Sequence, residues 1–385
     1  MKKLLFVLVL FAVILPVKVS AADIVAQAAI LVDFETGEIL FERDAYSLRH
    51  PASMTKIMTA FVLYEEVAAG RMSFDTMITI SPNAAQLSRM FGARHRLNVG
   101  ASYSAATLLY LSMLPSSNAA SLAIAEHISG TEEAFVRLMN DHARQLGLHP
   151  DFSNSWGEDH GGHNFTNAYS MAMLVREFII RHPTILQVTG ADTMEIDRFS
   201  MDNTNRLLHG SRYFEGADGF KTGFTRAARS TLAATAMRDG RRVITVVMNA
   251  PSGNAAADDA ATLLNLGLNW VNITIEGVPF SNLSSVVQNG QFLVPVREIF
   301  ERLGFNIGWD GEARQVIMSR ADTTVVLTLD NFLFRIDDSY FWLDVPPQLI
   351  GNSTMIPIQA VLERLDYSVE WDAFSRTLDI GTRED

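Results

Sequence analysis

The sequence predicts an α+β protein of two unequal domains, and three observations support this fold class. Residues 28–44 and 230–250 show the alternating apolar pattern and turn residues of β-hairpins, with a long stretch of helical pattern between them. The composition changes after Val271, where strand-forming residues dominate. An internal repeat at an offset of 62 residues then follows. We therefore expect a first domain over residues 23–271 and a smaller one over residues 272–385.

The chain begins with the pattern of an export signal. Lys2 and Lys3 precede an apolar run from Leu4 to Val17, and small residues follow it as far as Ala22. The run is about 14 residues long, whereas a membrane-spanning helix needs about 20. We therefore predict a signal peptide over residues 1–22, with the mature protein at the extracellular face of the cytoplasmic membrane or in the cell wall. An uncleaved anchor is the alternative.

Charge and cysteine content exclude several functional classes. The net charge of the 385-residue chain is −12, which argues against nucleic acid as a partner. The chain contains no cysteine, so a disulfide framework, a thiol nucleophile and a cysteine-ligated zinc site are all excluded. The hydrophobic content of 48% and charged content of 19% are those of a globular protein.

Turn and capping residues delimit the elements of the first domain. The predicted elements, in chain order, are the hairpin of 28–44 turning at Glu35, Thr36 and Gly37; a helix from Ser53 to about Ala69; two buried helices between Ala105 and Ile128 that meet near Pro115; an amphipathic helix over 131–148 opened by Thr131; a loop over 154–167; the hairpin of 230–250 turning at Asp239-Gly240; and a helix over 254–271.

The second domain contains an internal duplication. Residues 293–318 align with residues 355–380, and Trp309 aligns with Trp371. Each copy predicts a strand, a helix and a pair of strands around an Asp-containing turn, and we expect the two copies to share one core. Because large aromatic side chains dominate small cores, we expect both tryptophans to be core anchors.

The segment PASMTKIM, residues 51–58, allows two interpretations. Locally, Ser53 has the position of a helix N-cap. Chemically, Ser53 and Lys56 are three residues apart, so one helical turn places an alcohol beside an amine. A Ser-x-x-Lys pair occurs by chance in a chain of this length, so the remaining sequence has to decide between the two.

Two further polar clusters lie at predicted element boundaries. Ser116-x-Asn118 interrupts the two apolar helices, and Lys221-Thr222-Gly223 is expected at the start of a strand. Serine and asparagine are common turn residues, and a lysine at a strand end is often only solvated, so each cluster also has a plain structural interpretation. Together with Ser53-x-x-Lys56, however, they have the order found in penicillin-recognising serine enzymes.

Larger segments of the chain resemble known families. Residues of about 24–271 resemble the D-alanyl-D-alanine carboxypeptidases, low-molecular-mass penicillin-binding proteins of the S11 peptidase type, in PASMTKIMTA, NTNRLL and DGFKTGFT. This resemblance implies the β-lactamase/transpeptidase-like fold, in which helices and a helical subdomain flank an antiparallel sheet. Residues 272–385 resemble the copper amine oxidase N-terminal-like (stalk) module in LVPVREIFERLGF.

The catalytic chemistry that the resemblance implies is acyl transfer. Ser53 is expected to be the nucleophile, activated by Lys56 acting as a base in its neutral form. A neutral lysine requires burial and a second cation nearby to lower its pKa, and Lys221 is expected to be that cation. Ser116 is expected to relay a proton to the leaving amine.

The resemblance also implies the groups that bind substrate. Asn118 is expected to hold the substrate amide, Lys221 to attract the terminal carboxylate, and Thr222 to donate a hydrogen bond to it. Gly223 leaves room for the substrate backbone beside the strand edge. The backbone N–H groups of Ser53 and Phe224 are expected to form the oxyanion hole.

The implied function is a serine-type carboxypeptidase that trims the terminal D-Ala from peptidoglycan stem peptides, with β-lactams as covalent inhibitors. One alternative is a β-lactamase of the same fold, which needs a glutamate for fast deacylation, and Glu158 and Glu177 are the nearest candidates. The other is a low-turnover penicillin-binding wall sensor. We expect the C-terminal domain to present the enzyme to the wall or to a protein partner, or to act as a spacer.

The sequence departs from the family pattern at positions near the predicted site. Ala119 stands where an acidic residue is usual after Asn118, and Arg229 stands where the family has glycine. Asn164, Thr166-Asn167 and Ser170 replace the usual His, Ser-Thr and Asp. None of these changes removes a predicted catalytic side chain, but we expect weakened activity or altered specificity.

No metal or other cofactor is expected. Asp159, His160 and His163 have a spacing that imitates a metal site, but a glycine-rich loop favours solvent-exposed histidines. All nine histidines precede residue 273, so the name of the C-terminal module does not imply copper here.

Overall fold

The computed structural model describes residues 24–90, 95–159, 164–196, 199–280, 286–288, 291–350, 353–372 and 377–382. These residues divide into two compact units, the first ending at Leu268 and the second beginning at Asn269. The predicted signal peptide lies outside the described residues. Within them, no helix has both the length and the apolar character that crossing a membrane requires.

Antiparallel strands form the centre of the first unit. Its strands are β1 (Ala28–Asp33), β2 (Ile39–Arg43), β3 (Met77–Thr79), β4 (Ser102–Ser104), β5 (Thr193–Ile196), β6 (Phe199–Asp202), β7 (Ala217–Thr225), β8 (Arg229–Arg238) and β9 (Arg241–Ala250). Five of them pair antiparallel in the order β2-β1-β9-β8-β7, while β3–β4 and β5–β6 form two small sheets. Both predicted hairpins are confirmed. The second turns at Asp239 and Gly240, whose φ angles of 50° and 77° are those of a type I′ turn.

Helices cover this sheet and build a separate helical region. They are α1 (Lys56–Ala68), α2 (Pro82–Met90), α3 (Ala105–Met113), α4 (Asn118–Ser129), α5 (Glu132–Gln145), α6 (Ala168–Arg181), α7 (Ile185–Thr189) and α8 (Gly253–Leu268). The break between α3 and α4 falls near Pro115, as predicted. Thr131 caps α5 as predicted, its hydroxyl accepting a hydrogen bond from the Ala134 N–H at 3.2 Å.

Helix α1 lies at the centre of the first unit. Ten of its thirteen residues are buried, so it has no broad solvent-facing side. Phe61 in its middle is completely buried and makes an edge-to-face contact with Phe178 of α6, with ring centroids 5.4 Å apart. A helix packed on several sides is rigidly placed, which fixes the position of the residues at its N-terminal end.

The second unit consists mainly of strands. They are β10 (Asn272–Ile275), β11 (Val278–Phe280), β12 (Val286–Gln288), β13 (Gln291–Pro295), β14 (Asn306–Asp310), β15 (Gln315–Arg320), β16 (Thr323–Thr328), β17 (Leu333–Ile336), β18 (Ser339–Trp342), β19 (Gln348–Ile350), β20 (Ser353–Pro357), β21 (Tyr367–Asp372) and β22 (Thr377–Thr382), with helices α9 (Val296–Arg302) and α10 (Ile358–Leu362). They form sheets in the orders β11-β10-β22-β21, β12-β13-β20-β19 and β14-β15-β16-β17-β18.

The duplication predicted from the sequence is confirmed as structure. Each copy runs strand, helix and antiparallel strand pair, from β13 to β15 and from β20 to β22. Buried residues of both copies, including Ile299 and Val361, belong to one apolar cluster. The turn of the second copy falls on residues 373–376, outside the described residues.

The prediction that the two repeat tryptophans anchor this core is wrong. Trp309 is 49% exposed and Trp371 is 38% exposed. Each belongs to a strand at the edge of its sheet, β14 and β21, and in both strands the residues next to the tryptophan in the chain include exposed ones. Phenylalanines fill the core instead, among them Phe300, whose ring lies 5.4 Å from that of Phe305.

Candidate active site

Ser53 lies in a single turn of 3₁₀ helix, Ala52–Thr55, that leads directly into α1. The prediction that Ser53 caps the helix is wrong, because neither the turn nor α1 has a side-chain cap. The Ser53 hydroxyl instead lies 2.9 Å from Lys56 Nζ. Ala52, just before it, has a φ of 48°, a left-handed conformation that costs an alanine about 1–2 kcal/mol and must be held by its surroundings.

The Lys56 amine has three partners within hydrogen-bonding distance. Asn118 Oδ1 lies 2.8 Å from Nζ, the Trp156 carbonyl oxygen lies 2.6 Å away, and the third partner is the Ser53 hydroxyl. The first two atoms can only accept hydrogen bonds. When the amine is protonated, its three N–H groups can donate to all three partners. When it is neutral, the two pure acceptors take both N–H donors, which leaves the lone pair for the Ser53 hydroxyl. This arrangement suits proton transfer from Ser53 to Lys56.

The surroundings of Lys56 favour its neutral form. The side chain is completely buried, and burial lowers its pKa well below the ordinary value for lysine. The charge of Lys221 lowers this pKa further, while that of Glu158 acts in the opposite direction. The expected electrostatic relation between the two lysines is therefore present. They are also the only lysines in the chain after residue 18.

A short turn fixes the Trp156 carbonyl beside Lys56. The side-chain oxygen of Asn154 accepts hydrogen bonds from the N–H groups of Trp156, Gly157 and Glu158 at 3.2, 2.6 and 3.1 Å. Gly157 has a φ of 99°, and a side chain there would place its Cβ 2.0 Å from the Ala52 carbonyl oxygen. The turn thus lies directly against the 3₁₀ turn of Ser53.

Residues 154–158 are neighbours of the base whose role the sequence left undecided between a plain loop and a lining of the substrate cleft. The segment was predicted as a loop, and its position beside the base depends on contacts about a hundred residues apart in the chain. The available signal was the sequence Asn-x-x-Gly within it, since asparagine and glycine together are typical of a tight, internally bonded turn.

The Ser116-x-Asn118 segment is both a turn and part of the site. Ser117 caps α4, its hydroxyl accepting a hydrogen bond from the Ala120 N–H at 3.2 Å. Ser116 has a φ of 65° and lines the same cavity as Ser53. The structural and chemical interpretations are thus compatible, because the residue between Ser116 and Asn118 provides the cap.

The Lys221-Thr222-Gly223 segment lies in the middle of β7 rather than at the predicted start of a strand. Lys221 is 1% exposed, so it is not a solvated strand-end lysine. Its amine donates to the Thr222 carbonyl oxygen at 3.1 Å, and burial lowers its pKa to about 7. A lysine with this pKa changes charge near neutral pH.

Gly223 is required by the packing of β7 against the nucleophile turn. A Cβ at this position would lie 2.5 Å from Thr231 Oγ1, 2.9 Å from the Pro51 carbonyl oxygen and 3.0 Å from the Ser53 backbone nitrogen. No ordinary side chain tolerates these distances. The absence of a side chain was predicted to admit substrate, and it also admits the Ser53 turn itself.

Thr204 connects the Lys-Thr-Gly strand to the helical region. Its hydroxyl lies 2.6 Å from that of Thr222 and donates to the Leu114 carbonyl oxygen at 3.2 Å. Sequence reasoning quoted the surrounding NTNRLL segment only for its resemblance to a family. In this segment an asparagine stands on each side of Thr204. Because asparagine side chains often bond to nearby backbone groups, this pattern was the available signal that Thr204 is held in place.

These elements enclose one open cavity of about 510 Å³. Its described lining consists of Ser53, Ser116, Thr204, Arg206, Thr222, Gly223, Phe224, Ser230, Thr231, Leu232, Pro251, Ser252, Gly253, Ala256 and Ala257. Phe224 is 72% exposed at this cavity, and the remaining predicted residues, Lys56, Asn118 and Lys221, connect to it through the contacts above. All eight predicted site residues therefore belong to one site.

The positions that depart from the family pattern are accommodated only in part, because the buried oxygens Asn164 Oδ1 and Thr166 Oγ1 have no hydrogen-bond partner. Asn164 is completely buried and donates to Thr55 Oγ1 at 3.2 Å, next to Lys56 in the chain. Ser170 lies in the first turn of α6, where its N–H donates to Asn167 Oδ1 at 2.7 Å. Arg229, in place of a glycine, has a φ of 54° at the start of β8 and a solvent-exposed side chain.

Fold and site together have the features of the penicillin-recognising serine enzymes, namely a serine with a lysine one turn on, a Ser-x-Asn segment and a Lys-Thr-Gly strand. The D-alanyl-D-alanine carboxypeptidase family matches residues 16–252 of the chain. The protein therefore belongs to the D-alanyl-D-alanine carboxypeptidase (peptidase S11) family. The copper amine oxidase N-terminal domain family matches residues 274–380.

Similar proteins are consistent with this assignment. The D-alanyl-D-alanine carboxypeptidase DacF of Bacillus subtilis is 35% identical over 231 residues, which are 58% of this chain and 57% of that protein. DacC of Escherichia coli is 29% identical over 78% of this chain and 73% of its own length. The crystal structure of penicillin-binding protein D2 from Listeria monocytogenes in its ampicillin-bound form matches with a TM-score of 0.57 at 30% identity, covering 63% of this chain and 98% of that one.

The second unit does not offer a copper site of the usual kind. All nine histidines of the chain precede residue 273, so this unit has no imidazole ligand, and the chain has no cysteine. Within the described ranges, no cluster of three acidic or histidine side chains has the geometry of a metal site. Asp159 pairs with His50 at 3.3 Å, while His160 and His163 lie outside the described residues.

Proposed function

We propose that this protein is a serine D-alanyl-D-alanine carboxypeptidase that removes the terminal D-Ala from peptidoglycan stem peptides through an acyl-enzyme on Ser53. The observation that carries the proposal is the environment of Lys56. Burial favours its neutral form, and two pure acceptors then take both of its N–H donors, which leaves its lone pair for the Ser53 hydroxyl at 2.9 Å.

Acylation follows from this geometry. Ser53 transfers its proton to Lys56 as its Oγ attacks the carbonyl carbon of the penultimate D-Ala. The N–H groups of Ser53 and Phe224 stabilise the oxyanion that forms. Collapse of the tetrahedral intermediate breaks the peptide bond, and the proton passes from Lys56 through Ser116 to the leaving amine. The products are free D-Ala and an ester on Ser53.

Deacylation regenerates the enzyme with the same groups. A water molecule gives a proton to Lys56 as its oxygen attacks the ester carbonyl, and the second tetrahedral intermediate expels Ser53 Oγ. The proton on Lys56 then returns to Ser53. Lys221, with its pKa near 7, keeps a positive charge close to Lys56 when the anionic substrate is bound, because that anion favours the protonated lysine.

The β-lactamase alternative depends on a glutamate that speeds deacylation. Of the two candidates, Glu177 on α6 is paired with Arg181 at 3.4 Å and Arg176 at 4.0 Å. Glu158 follows the turn beside the nucleophile and acts electrostatically on Lys56. Glu158 is therefore the residue on which this alternative rests, and rapid nitrocefin turnover that is lost in Glu158→Gln would support it.

Export, location and the role of the second unit remain part of the proposal. The basic and apolar pattern of residues 1–22 supports a cleaved signal peptide and function outside the cytoplasmic membrane. We further propose that β-lactams acylate Ser53, supported by the ampicillin-bound relative. The second unit is proposed to present the enzyme to the wall or to a protein partner.

The test is D-Ala release from a pentapeptide ending in D-Ala-D-Ala, combined with labelling by a fluorescent penicillin. We expect Ser53→Ala to lose at least about a thousandfold in release and all of the label, since it removes the nucleophile. Ser200→Ala, which changes an exposed serine on β6, is the matched control and keeps both. A folded wild-type protein that neither releases D-Ala nor takes the label contradicts the proposal, and label without release supports the wall-sensor alternative.

A further inference from the structure

The second unit contains a sheet with one side in solvent. In the sheet of β14–β18, successive residues alternate between a buried side, which includes Val325, Leu327 and Phe334, and the opposite side, which we call the outer face. On β17 and β18 the residues of the outer face are Leu333, Arg335, Tyr340 and Trp342. None of these is buried, so this end of the outer face is open to a ligand.

Two aromatic rings are exposed on the outer face at the edge of this sheet. Tyr340 is 70% exposed and Trp342 is 68% exposed, and both belong to the edge strand β18. Because they are two residues apart on one strand, their side chains stand about 7 Å from each other on the same face. Leu333 lies directly across from Trp342 and extends the apolar surface. Large aromatic side chains usually lose most of their surface on folding, and an exposed apolar patch commonly marks a binding site.

The Trp342 ring is held in place although it is exposed. It stacks on the ring of Phe332, with an interplanar angle of 11° and ring centroids 5.7 Å apart. Phe332 is itself fixed at the start of the hairpin, because its carbonyl oxygen accepts a hydrogen bond from the Leu343 N–H at 2.7 Å. A ring that already has one orientation loses little conformational entropy when it binds a ligand.

Polar groups adjoin the rings, and almost all of them are uncharged. The outer face continues on β16 with Thr328, which pairs across to Gln315 and accepts a hydrogen bond from its side-chain amide at 3.2 Å. Arg335, directly opposite Tyr340, is the single charged residue that the described strands β15–β18 place on the outer face. Its guanidinium group donates to the Asp337 carbonyl oxygen, and a guanidinium has further N–H donors for a ligand.

The charge of the second unit restricts the kind of ligand. Residues 272–385 contain 17 acidic and eight basic residues, a net charge of −9. Such a unit repels polyanions and anionic membrane surfaces. The described strands β15–β18 place no carboxylate on the outer face that would bind a polycation. A neutral ligand with both apolar and hydroxyl-bearing surfaces matches these properties.

Pyranose sugars have this combination of surfaces. The axial C–H groups on the face of a pyranose ring stack on the electron-rich face of an aromatic ring. The hydroxyls around its rim pair with threonine, glutamine and arginine side chains. In a polysaccharide the sugars repeat along one direction, so a row of two aromatic rings at the edge of a sheet can contact successive sugars.

We propose that the outer face around Tyr340 and Trp342 binds a neutral polysaccharide, and that this polysaccharide is the glycan strand of peptidoglycan. The identity of the glycan rests on the proposed function, because the stem peptides that would be trimmed at Ser53 are attached to that strand. The binding of sugar itself rests on the outer face alone. Binding of the strand by the second unit raises the effective concentration of stem peptides around the enzyme.

The first test measures binding of the full chain to chitin oligosaccharides, which are β-linked N-acetylglucosamine chains without peptide, by titration calorimetry. Wild type is expected to bind, and Trp342→Ala and Tyr340→Ala are each expected to weaken binding about tenfold. Trp342→Phe should retain most of the affinity, because an aromatic face remains. Trp309→Ala is the matched control, since it removes a tryptophan that is also exposed, at the opposite edge of the same sheet, and it should bind like wild type.

The second test is cosedimentation with purified wall glycan from which an amidase has removed the stem peptides and acid has removed anionic polymers. Without stem peptides, the Ser53 cavity cannot contribute to binding. Wild type is expected to sediment with this material, and the double variant Tyr340→Ala/Trp342→Ala to remain in solution. D-Ala release from a soluble pentapeptide should be unchanged in the double variant, which also shows that the variant is folded.

The outcomes separate this inference from the proposed function. If wild type binds neither material, or if wild type and the double variant bind equally, the inference is refuted while the carboxypeptidase proposal stands. Binding to chitin oligosaccharides but not to wall glycan refutes the identity of the polysaccharide. If wild type binds both materials but releases no D-Ala, the sugar site is supported and the carboxypeptidase proposal fails.

Two further results would also overturn the inference. Sedimentation only with walls that keep their anionic polymers would show that the ligand is a polyanion. Dimerisation of wild type in light scattering that is lost in the double variant, without sugar binding by either protein, would show that the outer face is an interface between two copies of this chain.

Discussion

The two units of this chain fill their interiors differently. In the first unit, buried polar or charged residues accompany the apolar core, among them Lys56, Lys221, Asn164 and Asn205. In the part of the second unit that the structure describes, the buried residues are apolar, with Phe300, Leu327 and similar side chains at its centre. Burying polar groups gains little net stability even when they are hydrogen-bonded, and burying a cation costs free energy.

This difference indicates what each interior is for. Some polar groups of the first unit surround the Ser53 turn or hold segments that reach it, among them the Asn154 turn and Asn205, whose amide donates to the Gly219 carbonyl oxygen of β7. Others, such as Asp259, make contacts elsewhere. Lys56 and Lys221 are the clearest examples of buried groups placed for chemistry, because a buried lysine can lose its proton whereas an arginine cannot. The chain uses arginine for its other cations after residue 18. In the described part of the second unit, the buried side chains are apolar, so no free energy is lost there to burying a charge.

The largest expected effect comes from removing a buried cation. Lys221→Met should abolish most D-Ala release, yet raise the free energy of unfolding by a few kcal/mol at pH 6. The folded-state pKa of Lys221, about 7, lies below the ordinary 10.5, so between these values the unfolded chain binds a proton that the folded chain has lost. Wild-type stability therefore rises with pH across this window.

The gain from Lys221→Met should accordingly be greatest below pH 7 and shrink as the pH approaches 10.5. Denaturant unfolding monitored at several pH values measures this. A stability difference that stays constant with pH would mean that Lys221 is not desolvated in the folded protein. Wild-type protein labelled with ¹³C-lysine reports the same pKa directly, since Lys56 and Lys221 are the only lysines after residue 18.

An intermediate effect is expected in the apolar interior of the second unit. Leu327→Ala removes a completely buried side chain of β16 and should destabilise this unit by about 2–5 kcal/mol. Scanning calorimetry should show one transition moved to lower temperature, with D-Ala release at 25 °C unchanged.

Leu333→Ala is the control for this prediction, since Leu333 is 41% exposed on the neighbouring strand β17 and should cost less than about 1 kcal/mol. Loss of D-Ala release in Leu327→Ala would show that the polar site of the first unit depends on the core of the second.

The smallest expected effect tests the electrostatics of the base. Glu158 raises the pKa of Lys56, so Glu158→Gln should lower that pKa further and move the acidic limb of penicillin acylation to lower pH. The pH dependence of the acylation rate measures the shift. Glu177→Gln, whose carboxylate is paired on α6, should leave the limb in place. A shift toward higher pH in Glu158→Gln would contradict the assignment.

Local features of the fold were predictable from the sequence. The Asp239-Gly240 turn, the Thr131 cap and the break between α3 and α4 each depend on residues within a few positions of one another. The duplication was visible because its two copies retain matching residues. The motif residues Ser53, Lys56 and Lys221 were also predictable, since their types and order are required by the chemistry.

Contacts between distant segments were not predictable in this way. The Trp156 carbonyl binds Lys56 only because the Asn154 turn, a hundred residues away, packs on the nucleophile turn. The exposure of Trp309 depends on which strand forms a sheet edge, and the repeat pattern does not specify sheet order. Thr204 and Arg206 acquire their place through Asn205, whose partner is a backbone oxygen on β7.

Gly157 and Gly223, which pack on the Ser53 turn from two sides, determine when during folding this site is assembled. The strained Ala52 conformation lies against Gly157 on one side, and the Ser53 nitrogen lies against Gly223 on the other. Both supports come from chain synthesised long after the serine itself. During synthesis and folding, Ser53 therefore remains an ordinary alcohol until about the last third of the first unit has docked. The nucleophile is among the first parts of the domain to be made and among the last to become active.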